Sequence, residues 1–151
     1  METVSRTTSN HGIGRFLSAG LVSGVVAAIL ANIGLLVLTN ILNRGDRYAS
    51  VLNIFSITAI CLVANLIGSV LFYFLLRFFK PVVAVSIFVA LAMLAAIGNS
   101  LIAGPGASLP AGMPVLAPGF ADVANPLHFL VALTATIIIP LLTISRGQGQ
   151  H

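Results

Sequence analysis

Charge is what this chain has least of. Only 7% of its 151 residues are Asp, Glu, Lys or Arg, while 58% are hydrophobic. A soluble domain carries roughly 25% charged residues, so these few cannot coat a water-facing surface and the solvent for most of the chain is lipid. The placement of the missing charge excludes more. No Asp, Glu, His, Lys or Arg falls at the middle of any long apolar run. A proton relay needs Asp, Glu or His along a path, a cation pore needs an acidic ring or a carbonyl filter, and a voltage sensor needs a row of arginines. None of these patterns is present, and neither is a phosphate-binding glycine loop or a nucleophile beside a base. No enzymatic activity, cofactor or metal is therefore expected. The one cysteine, Cys61, makes no intrachain disulfide and reads as a small apolar packing residue. The net charge of +4 comes from seven basic residues scattered beside the apolar runs. A basic groove with interleaved aromatics is absent, so a nucleic-acid partner is not expected.

What the chain does have is long apolar stretches. A helix that crosses a bilayer needs about 20 apolar residues, and four segments reach or approach that length: residues 16–42, 51–76, 82–103 and 127–144. The expected fold is an all-α integral membrane four-helix bundle. Residues 1–15 form a polar tail and 145–151 a second one. The first run is too long for the apolar region of a signal peptide, and no Ala-x-Ala triplet follows it before Asp46, so it is expected to be retained. Pro81 suits the first turn of the third helix. Pro140 deprives the Thr136 carbonyl of its usual donor inside the fourth helix, and the Thr136 hydroxyl is the expected compensation. Residues 104–126 hold five prolines and four glycines. They read as an apolar connector lying against the membrane surface or over the helix ends.

Orientation follows from the Lys and Arg balance across the spans. Arg6, Arg15, Arg77, Lys80 and Arg146 share one side, and Arg44 and Arg47 the other. Both termini are therefore expected in the cytoplasm, with the Pro/Gly connector outside.

The first run carries small residues at Gly20, Gly24, Ala27, Ala31 and Gly34. Their steps of four and three make one seam on a helix, and such a seam lets a second helix approach closely in lipid. Ala64 and Gly68 repeat the spacing in the second run. Asn32 and Asn65 are the polar residues within these two spans that are expected to face inward and bond across the bundle. On antiparallel helices their depths fall within roughly 8 Å at the helical rise. Fixing helix register is one reading of the pair, and contacting a substrate is the other.

A second group is defined by position. Asn40, Asn53, Asn99, Asn125 and His128 all fall near the helix ends on the connector's side. With Asn43, Ser100 and the nearby charges they would line a polar pocket beneath residues 104–126. The competing reading is that polar helix ends are normal at headgroup depth and that Asn caps helices. His128 is the only histidine near a span. A bis-histidine haem would need a second one at its depth, and a metal would want Cys or carboxylate neighbours, so a hydrogen-bonded interfacial histidine is expected.

The first helix from Arg15, the segment Leu75-Leu76-Arg77-Phe78-Phe79-Lys80-Pro81, and the stretch from Leu127-His128-Phe129 to Ile139-Pro140-Leu141-Leu142 together resemble a domain-of-unknown-function family of small four-helix bacterial integral membrane proteins. The resemblance implies the same fold in a bacterial cell (inner) membrane, multi-pass, and brings no catalytic residues with it. The expected role is an accessory or scaffold subunit among membrane lipids, acting as a homo-oligomer or within a larger membrane complex. The alternative is binding or permeation of a small apolar or lipid-like molecule, with the outer polar cluster as its contacts and residues 104–126 as a lid.

Overall fold

In the computed structural model, residues 12–43, 48–49, 51–102 and 119–144 are described. Among them the chain forms four helices: α1 (Ile13–Ile41), α2 (Ile54–Phe78), α3 (Pro81–Ile102) and α4 (Phe120–Ile144). Each is long and apolar enough to cross a membrane. The shortest, at 22 residues, measures about 33 Å at 1.5 Å per residue, enough for a hydrocarbon core of about 30 Å.

The ends of these helices are set by local chemistry. Asn43, just past α1, has φ 52°, the left-handed conformation that closes a helix and that Asn tolerates. Asn53 caps α2 through a capping box: its side chain accepts from the Ser56 amide at 2.9 Å, and its own amide donates to Ser56 Oγ at 3.2 Å. This cap starts α2 three residues later than the run of apolar residues suggests, because Val51 and Leu52 donate instead to the Tyr48 carbonyl in a turn. Pro81 is the first residue of α3, where its missing amide costs nothing.

The largest departure from the sequence expectation is at α4, which begins at Phe120 rather than residue 127 and carries Pro126 inside it. A proline in a helix interior removes one backbone bond and costs about 3 kcal/mol. The extra turns offset it by burial. Phe120, Val123, Ala124 and Leu127 share one face and pack with Ala27, Ala28 and Ala31 of α1, Ile57 and Cys61 of α2, and Tyr48. Tyr48 meets Phe120 edge to face, with ring centroids 5.7 Å apart. The remainder of the connector, residues 103–118, lies outside the described residues, so its place over the membrane surface or the helix ends does too.

Contacts along the helices show that neighbours run antiparallel. Going up α1, Gly20 meets Ser69 and Asn65, Gly24 meets Leu62 and Cys61, and Asn32 meets Thr58. Against α4 the sequence is Arg15 to Leu142, Ser23 to Thr134 and Gly34 to Leu127. α3 follows α2 after Phe79 and Lys80, packs mainly along α4, and reaches α2 through Phe88, whose ring lies 5.0 Å from that of Phe72. One end of the bundle thus gathers Arg15, Arg77 and Lys80 and is called the basic end below. The other holds Asn43, Asn53 and Asp122 and is called the connector end.

Two clusters fill the interior. The one nearer the connector end joins α1, α2 and α4 with Tyr48 and contains no α3 residue. The one nearer the basic end includes all four helices, with Phe16, Phe72, Ala84, Phe88, Ala135 and Ile139. Ser23, Asn65, Ser69 and Thr143 are wholly buried, whereas Phe55, Val82 and Leu101 are more than 75% exposed. Polar inside and aliphatic outside is the reverse of a soluble bundle's surface, and it suits helices solvated by acyl chains.

The glycines on α1 make a direct test. A Cβ on Gly24 would lie 3.0 Å from the Leu62 Cα, whereas at Gly12 or Gly14 it would meet nothing within 4 Å. Gly24→Leu should therefore force α1 and α2 apart and cost about 1–3 kcal/mol in denaturation of the detergent-purified chain. Gly14→Ala should be neutral or stabilising, by up to about 1 kcal/mol.

Candidate functional site

The tightest helix contact in the bundle surrounds a layer of buried polar groups. Gly20 presents no side chain, so Ser69 sits directly against it, its Oγ filling the place a Cβ would take. One turn further along α1, Ser23 is fully buried and donates to Asn65 Oδ1 at 2.6 Å. The Thr134 carbonyl lies 3.4 Å from the same hydroxyl. Asn65 donates its amide to the Cys61 carbonyl of its own helix at 2.8 Å. Thr134 and Ser69 donate to carbonyls of their own helices at 2.7 and 2.8 Å. Short hydroxylated and amide side chains can do this because they reach a backbone carbonyl three or four residues back. In lipid that closure is required, since an unsatisfied polar group costs several kcal/mol.

Asn32 does not belong to this layer. It is half-buried and donates to the Ala28 carbonyl at 2.8 Å and to Thr58 Oγ1 at 3.3 Å, while its Oδ1 is buried without a partner. Asn65 is level with Ser23, nine residues before Asn32, which is about 13 Å along α1. The two asparagines therefore occupy separate levels, farther apart than the expected 8 Å. The estimate from chain position treats both helices as centred alike, whereas the register is set by where Gly20 and Gly24 admit α2. Ser23 and Thr134 escaped the sequence reading. Serine and threonine are common in apolar helices, and nothing in their spacing distinguishes the pair that meets Asn65.

Among the expected packing residues, Gly20, Gly24, Ala27 and Ala31 are buried and Gly34 lies against Leu127. Gly68 is partly buried, with Phe88 3.6 Å from where its Cβ would be. Ala64 is exposed and lies off the buried face of α2. The inward face of α2 runs through Ile57, Cys61, Asn65, Ser69 and Phe72, and Ala64 lies about 100° around the helix from Asn65.

The outer polar group separates into two sets. Asn40 is exposed and donates to the Leu36 carbonyl at 2.7 Å. Asn53 is exposed and spent on its cap. Asn99 is exposed as well. Asn40 and Asn53 thus bond at their own helix ends and Asn99 is exposed, while residues 103–118, which would cover them, lie outside the described residues. Asn125 and His128 differ. They lie three residues apart on α4, both half-buried, and Asn125 Oδ1 and His128 Nδ1 are buried with no hydrogen-bond partner. Buried acceptors of this kind are rare and call for a partner. By spacing they continue the α4 stripe that holds Ala132, Ala135 and Ile139. No group of three or more His, Cys, Asp or Glu among the described residues could hold a metal ion.

At the basic end Arg15 reaches across to α4, where its Nη2 donates to the Leu142 carbonyl at 3.1 Å. That carbonyl is one of the last four of α4, which lack partners within the helix, so the guanidinium completes the helix and meets the negative end of its dipole. Near the same end, the Thr136 hydroxyl donates to the Leu133 carbonyl at 2.9 Å. It does not compensate for the donor that Pro140 removes from its own carbonyl, because a threonine hydroxyl in a helix reaches backward, not to its own C=O.

Searches against family models, curated proteins and solved structures found no match to this chain. What the fold defines by itself is an all-α protein whose four helices suit a multi-pass membrane protein.

The buried layer predicts its own coupling. In a double-mutant cycle of Ser23→Ala and Asn65→Ala, unfolding in detergent should show a coupling of about 0.6 kcal/mol, with about 1.7 as the ceiling for such bonds. Strict additivity would mean that the two side chains do not bond.

Proposed function

We propose that this protein is an accessory or scaffold subunit of a bacterial cell (inner) membrane, with both termini in the cytoplasm, working by helix association and not by chemistry. The observation that carries the proposal is the unequal packing of α3. Its half near the connector end joins no core cluster with α2, so an apolar side of the bundle stays open to a further helix. Ala64 and Ala95 are exposed on α2 and α3, and small residues there allow a close neighbour. The polar groups of the Ser23 layer bond to one another and to carbonyls of their own helices, which leaves association to shape. The partner is a second copy of the chain or another membrane protein. Purification in mild detergent should give a particle larger than one chain, and crosslinks from a cysteine at position 64 should reach the partner. A strictly monomeric particle with no co-purifying protein overturns the proposal.

Asn125 and His128 favour a second reading, in which their face of α4 receives a small lipid-like molecule whose polar head donates hydrogen bonds to Oδ1 and Nδ1. If such a molecule is bound, Asn125→Leu with His128→Leu should remove a bound mass seen by native mass spectrometry and lower thermal stability. A variant that is more stable, as expected when orphaned polar groups are replaced by apolar ones, with unchanged bound mass, sinks this reading.

A further inference from the structure

Among the described residues, every Lys and Arg lies at one end of the bundle. Arg15, Arg77 and Lys80 lie at the basic end with no described Asp or Glu, and Asp122 lies at the connector end. These three cations stand at or near the ends of three helices. Phe16 of α1 stacks edge to face on Tyr73 of α2 with centroids 5.2 Å apart. Arg15 directly precedes Phe16, and Arg77 lies one turn beyond Tyr73, so the two arginines flank one aromatic pair where α1 begins and α2 ends. Lys80 follows within one turn and opens α3 by accepting at its carbonyl from the Ala84 amide at 2.9 Å. Arg77 and Lys80 are exposed, and so are Gly12 and Gly14, beside which a Cβ would find open space.

These groups sit where the apolar spans stop, which is the depth of lipid headgroups. Their flanks are lipid-facing aliphatic and aromatic surface, including Phe78 and Val82, both more than 70% exposed. A ligand for this end must therefore carry negative charge on a head and apolar chains beside it. We infer that the basic end of the bundle is a docking surface for the phosphate headgroups of anionic phospholipids, with Arg77 and Lys80 as the contacting cations and Arg15 tied to α4 at the same end. Each cation near an anionic membrane surface contributes about a fivefold preference. The inference rests on the membrane placement of the helices and is independent of the accessory role.

The test is native mass spectrometry of the full chain in detergent, titrated separately with phosphatidylglycerol and phosphatidylcholine of identical acyl chains. The wild type should retain phosphatidylglycerol with a preference on the order of tenfold or more. Arg77→Gln with Lys80→Gln should bring that preference close to one while leaving phosphatidylcholine binding and the melting temperature unchanged, because both side chains are exposed. Arg44→Gln with Arg47→Gln removes the same number of charges and should leave the preference intact. Equal retention of the two lipids by the wild type overturns the inference while leaving the membrane placement standing. An equal loss in both double variants also overturns it, since the effect would then follow net charge and not this surface. Failure to retain either lipid also overturns the inference.

Discussion

Helix α1 can approach α2 only because Gly20 and Gly24 present no side chains, and the rest of the bundle depends on that approach. Ser69 and the backbone at Leu62 occupy the space that side chains would otherwise take. In a bilayer, apolar burial gives little reason for two helices to prefer each other over lipid, since acyl chains are as apolar as leucine. Association must come from close packing and from hydrogen bonds that have no better partner outside. The glycine contact supplies the first and positions the second, because it fixes the register at which Ser23 meets Asn65.

That register has consequences at both ends. Toward the connector it sets Ala27, Ala28 and Ala31 opposite Ile57 and Cys61, which leaves a wall that the first turns of α4 complete with Phe120, Val123 and Leu127. Toward the basic end it brings Phe16 against Phe72 and Tyr73, and Arg15 into reach of the last carbonyls of α4. α3 is held differently. It joins the core through Ala84 and Phe88 and otherwise leans on α4. A small-residue seam thus governs a three-helix core, while the fourth helix has a looser attachment and a more open flank.

The bundle was legible in outline because it depends on length and composition. Four apolar runs without central charge can satisfy their backbones in lipid only as helices. The seam on the first run was legible for the same reason, since a four-and-three spacing needs no partner to be recognised. Other features depended on context. Asn53 and Asn125 look alike in the sequence, yet one caps a helix and the other has a buried oxygen without a partner. Ala64 has the same spacing to Gly68 as Gly20 has to Gly24, but it falls on the outward face of α2. Pro126 looked like the end of a loop because the cost of an interior proline is local, while the burial that offsets it involves residues from three other parts of the chain.

The sequence by itself determined the number of helices and that each is long and apolar enough to cross a membrane, because both follow from the length and composition of the apolar runs and need no knowledge of neighbours. Only the tertiary structure decided which polar side chains close on one another, which small residues face inward, and that α4 runs back through Pro126. Those depend on register and rotation between helices, and a shift of one residue turns a helix face by about 100° at no change in composition.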